Sequence, residues 1–163
     1  MALVRPATAS DWPAIWSIVE PIFRGGETYA VSRSISEADA RTFWVEMPQA
    51  TFVAVADGVV LGTYFLKPNH AGGGAHVCNC GYAVAEAARG RGIAAVMCEH
   101  SQGEAVSRGF RAMQFNFVVS TNEGAVRLWQ RLGFEVVGRL PAAFDHPAQG
   151  FVDALVMFKA LDG

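Results

Sequence analysis

The segment Arg89-Gly90-Arg91-Gly92-Ile93-Ala94 constrains this chain more than any other. It lies between a strand-like run, His76 to Val84, and a helical run from about Ile93 to Arg108. Two glycines free consecutive backbone N–H groups of Cβ bulk where a helix begins. Such groups form a nest for an anion, and the partial positive charge of the helix terminus adds to it. Arg89 and Arg91 bring mobile guanidinium groups suited to phosphate oxygens. The segment reads as a diphosphate-binding turn; the plainer alternative is a tight strand-to-helix connection. Gly90-x-Gly92-x-x-Ala95 also matches a dinucleotide fingerprint. That fingerprint starts directly after its strand and has an acidic residue about 20 positions later. Here five residues separate Val84 from Gly90, and residues 110–116 contain no acid.

Composition narrows the field. At 163 residues the chain is expected to be one domain, residues 1–163. Charged residues make up 17% and hydrophobic ones 52%, the reverse of what disorder requires. Thirteen basic against fifteen acidic residues, with no basic cluster, argue against a nucleic-acid partner. No apolar run is long enough for a membrane span, and the N-terminus has no leader pattern. Cys78, Cys80 and Cys98 are an odd, sparse set, so free thiols and a cytoplasmic location are expected.

The remaining elements follow from local signals. Leu3 to Pro6 reads as a strand. Ser10 reads as the N-cap of a helix whose Ile15, Ile18, Val19 and Ile22 share one face and which ends near Gly26. Residues 25–35 form a loop carrying Glu27, Tyr29 and Arg33. Ser36 with Asp39 resembles a capping box for a second helix running to about Met47. Thr51–Ala56 and Val59–Leu66 flank Asp57-Gly58, a hairpin signal. Met113–Val119 is a strand, and Asn122 is placed as the cap of a helix with Ala125, Leu128, Trp129 and Leu132 on one face. Gly133 ends that helix, and Phe134–Leu140 and Phe151–Phe158 complete a mixed α/β sheet.

Two segments in this order carry a family resemblance. Arg89-x-x-Gly92-x-Ala94 and Asn122-x-x-Ala125-x-x-Leu128-Trp129-x-x-x-Gly133-Phe134, with an Arg5-Pro6-Ala7 opening, resemble the acetyl-CoA-dependent N-acetyltransferases of the GNAT superfamily. The resemblance implies an α+β fold with about seven strands and four helices, splayed between the fourth and fifth strands. It implies acetyl-CoA as cosubstrate, a small-molecule amine as acceptor, and a homodimer. Cofactor contacts would come from Tyr82, Ala83, Val84, Arg89, Gly90, Arg91, Gly92, Ile93, Ala94, Asn122 and Trp129. The backbone N–H of Val84 would face the thioester carbonyl. One such donor contributes roughly 2.7–4 kcal/mol in other acyl-transfer sites. Glu27 and Tyr29 would lie in the loop covering the acceptor.

Two positions depart from the family pattern. Trp129 stands where a Tyr is common, and an indole N–H is no useful acid for a leaving thiolate. Trp129 reads equally well as a core aromatic. Asn79 stands where phosphinothricin acetyltransferases place a Glu, and asparagine cannot act as a base. Asn116 is a polar residue in an otherwise apolar strand and needs a partner if buried. Asn79, Asn116 and Asn122 together resemble the azetidine-2-carboxylate (proline-analogue) acetyltransferases. That resemblance implies Asn79 and Asn116 as substrate contacts and, with Val84, as the catalytic set. Alternatives are a phosphinothricin or methionine-sulfoximine acetyltransferase, an enzyme acetylating protein amines, and a non-catalytic acyl-CoA-binding module. His76, Cys78 and Cys80 share a strand face but lack a fourth ligand, so no metal is expected. Cys80 as an acetyl-carrying nucleophile would need a depressed pKa. His100 is expected on a solvated helix face, and His146 and Asp145 in a late loop.

Overall fold

A computed structural model describes residues 1–162. The strands are β1 (Leu3–Pro6), β2 (Ala50–Ala56), β3 (Val59–Pro68), β4 (Val77–Val84), β5 (Ala112–Val119), β6 (Glu135–His146) and β7 (Gly150–Ala160). The helices are α1 (Trp12–Gly25), α2 (Glu37–Arg41), α3 (Ile93–Ser107) and α4 (Glu123–Arg131). Seven strands form one sheet in the order β1-β2-β3-β4-β5-β7-β6. All neighbours are antiparallel except β4 and β5, which run parallel. This is the expected mixed sheet with four α-helices.

Two apolar clusters cover the two faces. Phe52, Tyr64, Cys80, Met97, Met113, Phe115 and Trp129 belong to the cluster beneath α3 and α4. Ile15, Val19, Phe23, Trp44, Val53 and Phe65 belong to the one beneath α1 and α2. Strand alternation assigns each β4 residue to a face: Cys78, Cys80, Tyr82 and Val84 toward α3, and Asn79, Gly81 and Ala83 toward α1. Gly62 lets α3 approach β3, because a Cβ there would lie 2.8 Å from Met97 Cε and 2.9 Å from Ile93 Cγ2.

The parallel pair is short. β4 and β5 pair only at Val77 with Ala112 and Cys78 with Met113. The β5–β7 register then shifts between Phe115 and Val118, and a bulge there bends β5 away. Beyond Cys78 the two strands diverge, and the sheet opens.

Several local expectations need correction. Ser10 does not cap α1. Residues Ala9–Asp11 form a 3-10 turn capped at Thr8, whose N–H donates to Asp11 Oδ2 at 2.7 Å. The helix signal of residues 37–47 is met, but it widens into a π-helical stretch over Thr42–Glu46. Asn122 occupies the cap position of α4 without a side-chain cap hydrogen bond. His100 is half-buried, its Nδ1 2.8 Å from the Tyr64 hydroxyl, and burial lowers its pKa. β6 and β7 run longer than expected, which puts Asp145 and His146 in a hairpin strand instead of a loop. His146 is buried, and its Nδ1 accepts from the N–H groups of Ala148 and Gln149.

The cap at Thr8 is also an ion-pair site. Arg5 donates to both oxygens of Asp11 at 2.8 and 3.0 Å. These bonds, with the Thr8 N–H, hold the Asp11 carboxyl down at about 2. A depressed carboxyl pKa gives stability that is present above the unfolded value and lost as pH falls through the folded one. Thermal stability should therefore drop between about pH 4 and pH 2 in the native protein. Asp11→Asn should flatten that segment of the melting-temperature profile. Asp11→Ala should cost about 1–2 kcal/mol in denaturant unfolding at pH 7.

Candidate active site

Where β4 and β5 part, Asn79 bridges them: its Nδ2 donates to the backbone oxygen of Gln114 at 2.9 Å. A side chain thus replaces the next bond of the parallel ladder. On its other edge β4 pairs with β3 through its odd-numbered residues: the Val77 oxygen accepts from Asn69 N, and Ala85 N donates to Leu61 O. The backbone groups of Cys80, Tyr82 and Val84 consequently face the opening. The Tyr82 oxygen is taken by the Tyr29 hydroxyl at 2.8 Å. The Val84 N–H points into the gap, where no β5 residue is paired with it.

A cavity of about 620 Å³ fills the opening. Of the residues expected at the site, it brings together Glu27, Tyr29, Asn79, Tyr82, Ala83, Val84, Arg89, Asn116, Asn122 and Trp129. Gly90, Arg91, Gly92, Ile93 and Ala94 lie outside its lining, at the turn that opens α3. Gly90 and Gly92 have φ of +77° and +79°, and Gly92 is the N-cap of α3. A Cβ at either would meet nothing within 4 Å, so backbone conformation is what demands glycine there. The space above the turn stays open to a ligand. The first N–H groups of α3 have no partner within the helix. Arg89 and Arg91 are exposed and form no ion pair among the described residues. This arrangement fits a diphosphate. Ile93 can add only its backbone, since its side chain is buried in the core.

Trp129 sits at 8% exposure, its ring 5.1 Å from both Tyr82 and Phe115. It is a core aromatic with an edge on the cavity. Tyr82 buries its hydroxyl against Ser101 Oγ at 2.7 Å, and burial pushes its pKa well up. Burial also pushes the Cys80 thiol well up, which removes the depressed pKa a nucleophilic cysteine needs. Cys78, Cys80 and Cys98 are all free and buried. Among the described residues no three metal-capable side chains gather.

Asn116 is not the buried polar group its strand suggested. It is exposed on the β5 bulge, accepts from Gln114 Nε2 at 2.9 Å and donates to Asn69 Oδ1 at 2.6 Å. Bulging turns it toward the cavity, which no hydropathy pattern reveals. The loop of residues 25–35 is tied at its base, with Arg24 Nη1 donating to Arg33 O and Arg33 Nε to Arg24 O. Its Tyr29 ring packs edge-on to Phe23 and Trp44 and roofs the cavity. Gly81 makes that approach possible: a Cβ there would lie 2.4 Å from the Phe65 ring and 3.0 Å from the Tyr29 hydroxyl. The sequence reading missed the cavity residues Phe43, Phe65 and Lys67. Lys67 carried one visible signal, being one of only two lysines in the chain.

The sheet thus opens between its two parallel strands, and the N-terminus of α3, beside Arg89 and Arg91, has the chemistry to receive an anion. Residues 12–134 match the acetyltransferase (GNAT) family, and the chain belongs to that family. It is an N-acetyltransferase. The chain is 47% identical to a GCN5-related N-acetyltransferase from Kribbella flavida, with a TM-score of 0.94 and 98% of each chain covered. It is 28% identical to the N-acetyltransferase aca1 of Schizosaccharomyces pombe, over 80% of this chain and 71% of that protein. The protein yncA from Salmonella typhimurium, solved with its cofactor acetyl-CoA, shares the fold: TM-score 0.87, 24% identity, 100% of this chain and 95% of that one covered.

Gly81→Ala should test the roof. The methyl would push on Phe65 and Tyr29, costing about 1–3 kcal/mol in unfolding free energy. Tyr29→Phe deletes one hydrogen bond without changing shape, so a loss of about 0.5–1.5 kcal/mol is expected. Hydrogen exchange at residues 26–33 should speed up in both variants.

Proposed function

We propose that residues 1–163 act as one domain that moves an acetyl group from acetyl-CoA to the amine of a small molecule. The acceptor in this reading is an amino acid or toxic amino-acid analogue of the proline-analogue type, and transfer is direct, within a ternary complex. One observation carries it: a single cavity runs from Arg89 through the β4/β5 gap to a half lined by Asn79 and Asn116 and roofed by Tyr29. A tied roof suits a small acceptor better than a peptide. The Salmonella protein solved with acetyl-CoA supports the donor.

Acetyl-CoA, when bound, supplies an acyl group activated as a thioester. The α3 terminus, with Arg89 and Arg91, holds its diphosphate. Tyr82, Ala83 and Val84 line the arm's path, and the Val84 N–H is the donor for the acyl oxygen. Asn122, whose side chain leaves the helix cap free, joins the cofactor contacts, and Trp129 forms the wall. Asn79 and Asn116 orient the acceptor, and Glu27 and Tyr29 border it. Much of the rate comes from holding amine and thioester together.

None of the buried cavity groups is poised as a base. Asn79 cannot accept a proton at neutral pH, and burial pushes Cys80, Tyr29 and Tyr82 upward. The amine must arrive neutral through its own equilibrium. The rate of thiol release should then rise with pH through the acceptor's amine pKa. Its inflection should move when acceptors of different basicity are compared. A fixed inflection would assign the proton to an enzyme base, Glu27 being the carboxylate on the cavity wall.

The substrate reading is tested by thiol release from acetyl-CoA with azetidine-2-carboxylate, hydroxyproline, methionine sulfoximine and an N-terminal peptide. Turnover of the first two above the others supports it. Preference for methionine sulfoximine favours the phosphinothricin type, and preference for the peptide a protein acetyltransferase. Replacing Arg89 and Arg91 by Ala should raise the KM for acetyl-CoA about tenfold or more while leaving the acceptor order intact.

A homodimer is part of this reading. Val136, Val137 and Leu140 on edge strand β6, with Phe151 on β7, expose apolar surface suited to a second copy. No helix among the described residues is long and apolar enough to cross a membrane. A cytoplasmic location, without nucleic acid, metal or membrane as partner, completes the proposal.

A further inference from the structure

Lys67 and Lys159 are the only lysines in the chain. Lys159 is engaged, donating to Gln102 Oε1 at 2.6 Å and Leu132 O at 2.8 Å. Lys67 stands at the cavity wall and forms no ion pair among the described residues. Its Nζ lies 5.5 Å from the centroid of the Phe65 ring and 5.8 Å from that of Phe43. Two ring faces thus hold the ammonium where it would otherwise swing into water.

Its place in the sheet is informative. Lys67 is directly opposite Asn79 in the β3–β4 ladder, and Phe65 is opposite Gly81. Both pairs face α1. The ammonium therefore stands over a ring whose β4 partner, Gly81, is itself part of the cavity wall. Asn116, hydrogen-bonded to Asn69, lines the same cavity as Lys67. Of the residues lining the cavity, Lys67 and Arg89 are cationic and Glu27 is the single carboxylate. Arg89 belongs to the donor end. The acceptor half therefore carries one cation, packed on aromatic rings beside two asparagine amides, and one carboxylate, Glu27.

We propose that Lys67 is a specificity-determining residue that binds the carboxylate of the acceptor. This deepens the acceptor reading above and rests on it. The carboxylate accepts from Lys67 Nζ while the amine lies farther along β4, toward Val84. Acceptors that carry an extra cation in place of the carboxylate meet Lys67 as a like charge and are rejected.

The test compares azetidine-2-carboxylate with its carboxamide, which keeps the amine and ring but not the charge. Both are assayed by thiol release with saturating acetyl-CoA, using wild type, Lys67→Met and Lys67→Arg. Calorimetric binding of each compound to CoA-saturated protein gives a second readout that needs no turnover. Wild type should prefer the acid in kcat/KM and in affinity. That preference should fall about ten- to hundredfold in Lys67→Met, chiefly through KM, and largely return in Lys67→Arg. An acid-to-amide ratio unchanged in Lys67→Met, by both readouts, would overturn the role, as would a wild-type protein that does not distinguish the pair. Binding of the acid that needs Lys67, without thiol release from either compound, would uphold the anion site and remove the acceptor reading instead.

Discussion

The loss of pairing between β4 and β5 after two residues is the constraint on which the rest of this molecule depends. A parallel pair that continued would satisfy its own backbone and leave no cavity. The bulge in β5 prevents that, and each exposed backbone group then needs another partner. Asn79 takes the Gln114 oxygen, and Tyr29 crosses from the α1–α2 loop to the Tyr82 oxygen. The Val84 N–H is left without a partner on β5. Polar side chains that look like site residues are thus also the braces that hold the gap open.

The two faces of β4 divide the labour. Toward α3, Cys80 and Tyr82 are buried with Tyr64, Phe115 and Trp129, and burial makes their thiol and phenol poor acids. Toward α1, Gly81 removes a side chain so that Phe65 and Tyr29 can close on the strand. Burial holds the Cys80 thiol and the Tyr82 phenol in their neutral forms. Charge enters at the ends, with Arg89 at one and Lys67 at the other.

Much of this was legible beforehand. Gly90 and Gly92 declare themselves because a left-handed φ before a helix leaves few residue choices. Asp57-Gly58, Gly109 and Gly133 mark turns and helix stops for the same reason. Ser10 does not cap α1 because a 3-10 turn capped at Thr8 precedes the helix, and the Arg5–Asp11 pair, set by β1, holds that turn in place. Asn116 was read as buried because alternation ignores bulges. Lys67 went unnoticed because its meaning depends on Phe43, which lies on another element.

The sequence by itself determined the glycine turn before α3, the order of strands and helices, and the family, because these rest on local backbone chemistry and fixed spacing. Only the tertiary structure decided which residues meet across the gap. Where β5 bends, how Tyr29 reaches β4, and which rings Lys67 packs on are outcomes of packing between segments far apart in the chain. No local propensity encodes them. The scarcity of charge acquires its meaning there: Lys67, Arg89 and Glu27 are the charged side chains of the cavity lining, and packing decides where each stands.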